Sequence, residues 1–132
     1  MAYTASLMVD PYATYRRIDA AGRTATADGP ALIQLLYAEL VAALRAAGFA
    51  CAKRQFAVKS ERLTRATAIL FALEQGLDFD RGGQVSVTLQ TLYAGARSRI
   101  VEAAVGDDPM PFHSSAADFA EIAAAWQTAR AA

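Results

Sequence analysis

The segment from Asp28 to Ala47 constrains the fold most, because it carries two adjacent columns of apolar side chains at helical spacing. Asp28 is a favourable helix N-cap, and Pro30 fits the first turn of a helix. The columns are Leu32, Leu36, Leu40 and Leu44, and beside them Ile33, Tyr37 and Val41. Either neighbouring helices of the same chain or an apolar helix of another protein would cover so wide a face, and the spacing alone fits both.

The next part of the chain continues this helical pattern. An interior glycine costs only about 1 kcal/mol relative to alanine, so the first helix is predicted to run through Gly48 to about Arg54. A second helix is predicted from about Ala57 to Gln75, with Gly76 as its C-cap. Its apolar residues are spaced by sevens, as on one face of a helix in a bundle: Phe56, Leu63, Leu70 and Leu77.

Two more helices are predicted after Gly82-Gly83. A third helix should run from about Gly83 to Val105, because helical spacing continues well beyond a short alternating stretch that resembles a strand. Asp80 is expected to cap it. Two prolines then interrupt the chain, and a fourth helix is predicted from about Ser114 to Ala129, with the serines at 114 and 115 as caps.

Composition supports an all-α protein of one domain. At 132 residues the chain is long enough to bury a core without a metal or a disulfide, and its hydrophobic content of 55% excludes general disorder. Its many alanines favour helices. Residues 1–27 have scattered aromatics and no sustained period, so we expect an irregular or short-helical N-terminal arm that forms a single domain with helices in 28–132.

Charge is balanced over the whole chain but unevenly distributed. Thirteen basic and thirteen acidic residues cancel, which leaves no overall field to attract nucleic acid or an anionic membrane. The segment 45–65 nevertheless has one acid, Glu61, and six basic residues, whereas 102–121 has five acids and no lysine or arginine. Solvated helix faces explain such a pattern, and a helical nucleic-acid-binding module is the alternative. The six basic residues are Arg45, Lys53, Arg54, Lys59, Arg62 and Arg65.

Residues for catalysis or metal binding are scarce. The only histidine, His113, has no third group to complete a triad with the neighbouring serines. Cys51 is the only cysteine and is expected in the core, and the calcium-like start at Asp78 fails at Leu89, where a glutamate is required. We therefore predict no catalytic residue, no metal and no cofactor. No signal peptide or membrane-spanning segment is evident, which favours the cytoplasm.

The order of these features resembles the FliS family of flagellar export chaperones for flagellin, from about Tyr12 to Trp126. A tyrosine-bearing arm precedes an apolar "LLY" helix, a "RATAIL" helix, an "LD...GG" turn, an "LQTLY" helix and a last helix with tryptophan near its end. The matching residues are Tyr15, Thr26-Ala-Asp28, Leu35-Leu36-Tyr37, Arg65-Ala66 through Leu73, Leu77-Asp78, Gly82-Gly83, Leu89, Leu92-Tyr93 and Trp126. The family's entry proline is displaced by one position, and Gly48 and "PMPFHSS" depart from its pattern.

This resemblance implies an antiparallel four-helix bundle that binds the disordered C-terminal segment of flagellin, prevents its premature polymerisation and assists type III export. The export gate is a second candidate partner. Tyr12 and Tyr15 are expected to cover an apolar groove in the free chaperone. The candidate partner-binding residues are Tyr12, Tyr15, Leu32, Leu36, Tyr37, Leu40, Ile69, Leu73, Leu89, Leu92 and Tyr93.

Overall fold

The computed structural model describes residues 29–131 and is helical, without strands, over that range. Its helices are α1 (Gly29–Ala52), α2 (Phe56–Gln75), α3 (Phe79–Gly82), α4 (Gln84–Ala103) and α5 (Met110–Ala131). The predicted all-α class is therefore confirmed, with a one-turn helix, α3, added between the second and third long helices. The predicted arm and the N-cap at Asp28 lie outside the described residues.

The four long helices form a bundle in which each packs against the next and α5 closes back onto α1. Short connections make successive helices antiparallel, so α1 runs parallel to α4 and antiparallel to α5. The contacts of α1 with α2 and with α5 are the most extensive, and those between α4 and α5 are the weakest of these four neighbouring pairs. The helix with the widest apolar face thus makes the most extensive contacts with its neighbours.

The core extends through the middle of the bundle. Both apolar columns of α1 contribute to it, and Cys51 is buried there as predicted. By length and composition alone, residues 31–52 would also pass as a membrane span, but over half of the apolar window is buried inside the bundle. A core helix satisfies the same test, so this feature is weak support for insertion. The largest fully buried side chains are Tyr37, Phe112, Phe119, Leu36, Leu40, Leu44, Ile69, Leu70 and Ile100.

Helix α1 continues through Gly48, as the sequence predicts, and ends near the predicted position. At Gly48 a Cβ atom would lie 2.5 Å from the His113 ring of α5, so the glycine permits the close approach of the two helices. After Ala52, the amide of Gln55 donates to the carbonyl of Ala50 and the amide of Arg54 to that of Cys51. This pair of bonds is a Schellman motif, and it places Arg54 at the left-handed position where glycine is usual, with φ of 59°.

Helix α5 begins at Met110, so the predicted start at Ser114 is wrong. Pro111 is in the first turn, where a backbone N–H has no intrahelical acceptor and its absence costs nothing. The carboxylate of Asp108 accepts from the amide of Met110 at 3.0 Å and caps the helix. The prediction that Ser114 and Ser115 cap this helix is therefore also wrong, since both lie inside it.

The glycine pair before α4 has two separate structural reasons. Gly83 has a φ of 52°, which L side chains rarely adopt, and at Gly82 a Cβ would collide with the buried hydroxyl of Ser86. That hydroxyl donates to the carbonyl of Asp78 at 2.8 Å. The predicted cap role of Asp80 is wrong, because Gly83 is the N-cap of α4, while the side chain of Asp78 accepts from the amide of Arg81 to cap α3.

Candidate partner-binding site

The two tyrosines of the Leu-Tyr motifs meet in the centre of the bundle. The hydroxyls of Tyr37 on α1 and Tyr93 on α4 lie 2.6 Å apart in a buried hydrogen bond. Phe119 of α5 packs against both rings, and Trp126 packs against Tyr37 with ring centroids 5.9 Å apart. Burial raises the pKa of Tyr37 above its ordinary value, and its hydrogen bond to Tyr93 acts weakly in the opposite direction. Neither phenol faces solvent, so both belong to the core of the described chain.

The other predicted partner-binding residues divide between the core and the bundle surface. Tyr12 and Tyr15 lie outside the described residues. Leu32, Leu89 and Leu92 are partly exposed. The remaining six, including the two tyrosines, are buried, with exposed fractions of 3% or less: Leu36, Tyr37, Leu40, Ile69, Leu73 and Tyr93. Partner binding by these residues stays a prediction, and only the partly exposed group has surface available without rearrangement.

The partly exposed apolar residues of α4 and α5 define an open seam, formed by Leu89, Leu92, Ile122 and Trp126. Leu89, Leu92 and Ile122 pack against the core at one side, yet none of the four side chains is fully covered. The opposite edge of α4 faces α2. There the Arg97 guanidinium lies 3.0 Å from the Glu74 carboxylate, in an ion pair that does not meet the geometry of a hydrogen bond. The seam therefore lies along α4 and α5, the neighbouring long helices with the least extensive mutual contact.

Helix directions place this seam at the end of the bundle where α1 begins. Helix α1 begins at Gly29 and runs parallel to α4, so Leu32 and Leu89 are both near the starts of their helices. Trp126 is near the end of the antiparallel α5 and contacts Tyr37. The first described residue of the chain thus lies at the same end as Leu89 and Trp126.

Sequence reasoning missed a second apolar surface, at the other end of the bundle. Phe49, Phe56 and Met110 are each about half exposed or more. The sequence assigned Phe56 to a core face because it fits the seven-residue spacing, but α2 begins at that residue and its side chain is 49% exposed. The buried ammonium of Lys59 was missed as well, and it donates to the carbonyl of Gly106 at 2.7 Å.

Some of the residues that would support nucleic-acid binding or catalysis make contacts within the bundle instead. Of the six basic residues in 45–65, Lys59 is buried and Arg65 pairs with Glu39 at 3.0 Å. His113 packs edge-on against Phe49, and within residues 29–131 it has no hydrogen bond to a serine or a carboxylate. Among those same residues, no group of three or more potential ligands could hold a metal ion. The geometry described therefore contains no assembled catalytic or metal centre in that part of the chain.

Comparisons with known proteins agree with the motif order. A family model described as "Flagellar protein FliS" matches residues 10–132, and so includes part of the chain before α1. A curated relative, "Flagellar secretion chaperone FliSB" of Pseudomonas aeruginosa, is 28% identical over 112 residues. That alignment covers 85% of this chain and 89% of the relative.

Proposed function

This chain belongs to the FliS family of flagellar proteins and is a flagellar export chaperone, and we propose that its client is the C-terminal segment of flagellin. It binds this otherwise disordered segment in the cytoplasm, keeps flagellin from polymerising and delivers it to the type III export gate. The role is one of binding and needs no catalytic group. The named relative supports the chaperone role.

The observation that carries this proposal is the open seam at the weakly packed α4 and α5. A disordered segment gains helix by laying apolar residues at every third or fourth position into such a surface. Leu89 and Leu92 on one side and Ile122 and Trp126 on the other offer that surface without unfolding the core. The neighbouring Leu32 extends it at the end where α1 begins.

The surface area that a disordered client must bury is larger than the seam offers in the free protein. Coupled folding and binding of a disordered segment typically buries roughly 1,000–3,000 Å² and costs a few kcal/mol for ordering. Four partly exposed side chains are too small a surface for that amount, so the client extends along more than one helix. Separation of α4 from α5 would extend the surface toward Tyr93 and Phe119, which lie just beneath. Buried candidates such as Tyr93 would then contact the client only in the complex.

The N-terminal arm acts on the same site in this proposal. Tyr12 and Tyr15 cover the open seam in the free chaperone and leave when the client binds. The start of α1 supports this, because Gly29, to which the arm is joined, lies at the same end of the bundle as the seam. Deleting residues 1–17 should therefore tighten client binding or leave it unchanged in calorimetry. A large loss of affinity would overturn the covering role of the arm.

Co-purification tests the client directly. Flagellin from the same cell, full length and lacking its C-terminal segment, is mixed with the chaperone, and we expect only the full-length protein to be retained. Retention of the truncated flagellin would contradict the proposed client segment. Affinity measured at rising salt separates this function from the nucleic-acid alternative, since contacts to phosphates weaken steeply with salt and an apolar seam does not.

A further inference from the structure

The seam side of α4 carries an arginine two turns beyond its last seam leucine. Leu92, Gly95 and Arg99 are separated by three and four residues, so they lie on one face of the helix. Leu92 belongs to the open seam, Gly95 is partly exposed, and Arg99 is exposed. The face of α4 that forms the seam therefore continues into a glycine and then into a positive charge.

The Arg99 side chain turns back over Gly95. Its Nη1 atom lies 3.4 Å from the point where a Cβ at Gly95 would stand. Side chains of an α-helix point toward the helix N-terminus, and the missing Cβ leaves room for the guanidinium close to the helix surface. The charge therefore lies about one turn closer to Leu92 than the backbone of Arg99 does.

Arg99 has no acidic partner, whereas Arg97 on the same helix has one. The Arg97 guanidinium lies 3.0 Å from the Glu74 carboxylate and 5.9 Å from the centroid of the Phe71 ring, both on α2. Among the side chains that the structure describes, none offers Arg99 a carboxylate at ion-pair distance. Arg97 thus stabilises the contact of α4 with α2, and the charge of Arg99 is free to pair with a ligand.

An acid lies on the α5 side of the seam. Asp118 precedes Ile122 by four residues, so both lie on one face of α5. It also adjoins Phe119, whose ring stacks on Tyr93 with centroids 6.3 Å apart, two residues before Gly95. Asp118 is exposed, and it has no basic partner in the part of the chain whose side chains are described. The two helices that form the seam therefore carry opposite unpaired charges.

We infer that Arg99 binds a carboxylate of the client segment, an inference that rests on the proposed function, and so fixes where that segment lies along the seam. Apolar anchors recur at every third or fourth residue of a helix, so leucines alone tolerate a shift by one turn. A carboxylate that accepts two parallel hydrogen bonds from a guanidinium is satisfied in one position only. Arg99 therefore supplies a specificity that the seam leucines lack.

The surroundings of Arg99 favour one placement of the client. The client displaces water as it covers the seam, and the attraction between opposite charges grows as the effective dielectric constant falls. Asp118 repels a carboxylate, so a client whose acid faced α5 would bind more weakly. One ion pair adds only a shallow salt dependence, far below that of a surface with many phosphate contacts.

Calorimetry with a flagellin C-terminal peptide tests this pairing. Arg99→Gln should bind the peptide at least about fivefold more weakly than the parent chain does. The carboxylate is either an acidic side chain or the chain end, so peptides with a single Asp or Glu replaced by its amide, and one with an amidated C-terminus, are compared. One of these peptides should lose affinity for the parent chain but not for Arg99→Gln, because the two changes remove the same contact.

Arg62→Gln is the matched control. Arg62 is exposed on α2 without an ion pair to any described residue, and its replacement makes the same change in net charge. This variant should bind the peptide as the parent chain does. Circular dichroism confirms that both variants are folded.

Binding by the parent chain decides the proposed function first, because a parent chain that does not bind the peptide would overturn both proposals. If the parent chain binds, equal affinity of Arg99→Gln, or a loss matched by Arg62→Gln, would overturn this inference alone. A loss coupled to no single carboxylate of the peptide would do the same. The N-terminal arm is the competing occupant: if its acids pair with Arg99 in the free chain, Arg99→Gln would bind the client more tightly, and that result would also overturn the inference.

Discussion

The two edges of α5 pack very differently, and the contrast separates stability from binding. Toward α1, Phe119 packs against Tyr37, and the absence of a side chain at Gly48 leaves room for the His113 ring. Toward α4, Ile122 stays partly exposed at the open seam, and so does Trp126, although its ring also contacts Tyr37 of α1. Large apolar side chains thus lie on both edges of α5, and those of the seam are the ones that stay partly exposed.

This contrast assigns different roles to leucines that look equivalent in the sequence. Leu40 and Leu92 each fit an apolar helical stripe, but Leu40 is fully buried and Leu92 is not. Substitutions on the α1 side should mainly change the free energy of unfolding. Substitutions at the seam should mainly change client affinity.

The largest effect is expected for Leu40→Ala. Truncation of a fully buried leucine usually costs about 2–5 kcal/mol, through lost transfer free energy and the remaining cavity. Urea unfolding followed by circular dichroism measures this change. A loss below about 1 kcal/mol would show that the α1 side is as loosely packed as the seam, and the comparison would fail.

Gly48→Ala comes next, and it tests how tightly α1 and α5 approach. The added Cβ meets the His113 ring at 2.5 Å, so we expect a loss of about 1–3 kcal/mol despite the better helix propensity of alanine. In a His113→Ala background the collision disappears, and the same change should stabilise the protein by up to about 1 kcal/mol. Equal effects in the two backgrounds would show that the ring does not limit the approach.

The sequence predicted these helices well where one periodic signal dominated. The continuation of α1 through Gly48 could be predicted because a single glycine costs a helix little. The reason for the glycine could not be predicted. It is a tertiary contact with His113, which lies more than sixty residues later and belongs to no local pattern. The start of α5 was missed because two prolines were interpreted as a break, although the first turn of a helix tolerates proline.

The candidate site could be predicted only in part, for a related reason. Helical spacing identifies apolar faces but does not say which neighbour covers them. Helical spacing therefore did not distinguish Tyr37 and Tyr93 from Leu89 and Leu92, although the two tyrosines form a hydrogen bond to each other in the core. The exposed apolar residues at the other end of the bundle could not be predicted together, because Phe49 and Phe56 lie on different helices, and only helix packing brings them to the same end.

A smaller effect is expected for Tyr37→Phe, which removes one partner of the central hydrogen bond. The net loss should be about 1 kcal/mol near neutral pH. Burial raises the pKa of Tyr37 in the folded state above 10.0, so the unfolded chain releases this proton first as the pH rises. The stabilising contribution is complete below pH about 10 and is lost as the pH rises from there to the pKa of the folded state.

The difference between the parent chain and Tyr37→Phe should therefore shrink in urea unfolding measured from pH about 8 to about 11. A constant difference over this range would show that the phenol is hydrated, as expected if the seam extended into the centre of the free protein. The matched variant Tyr93→Phe also removes the hydrogen bond but keeps the titratable phenol of Tyr37. It should lower stability at neutral pH while the alkaline decline from Tyr37 persists.

The smallest effect on stability, and the sharpest test of the comparison, is expected for Leu92→Ala. A partly exposed leucine loses little transfer free energy on truncation, so the free energy of unfolding should fall by about 1 kcal/mol or less. Client affinity should nevertheless fall about tenfold if this side chain anchors the flagellin segment. The control is Val101→Ala on the same helix, where the side chain is 60% exposed and follows Arg97 by four residues, on the edge toward α2. Isothermal titration with a flagellin C-terminal peptide compares the two variants, and equal affinities would place the client away from the seam.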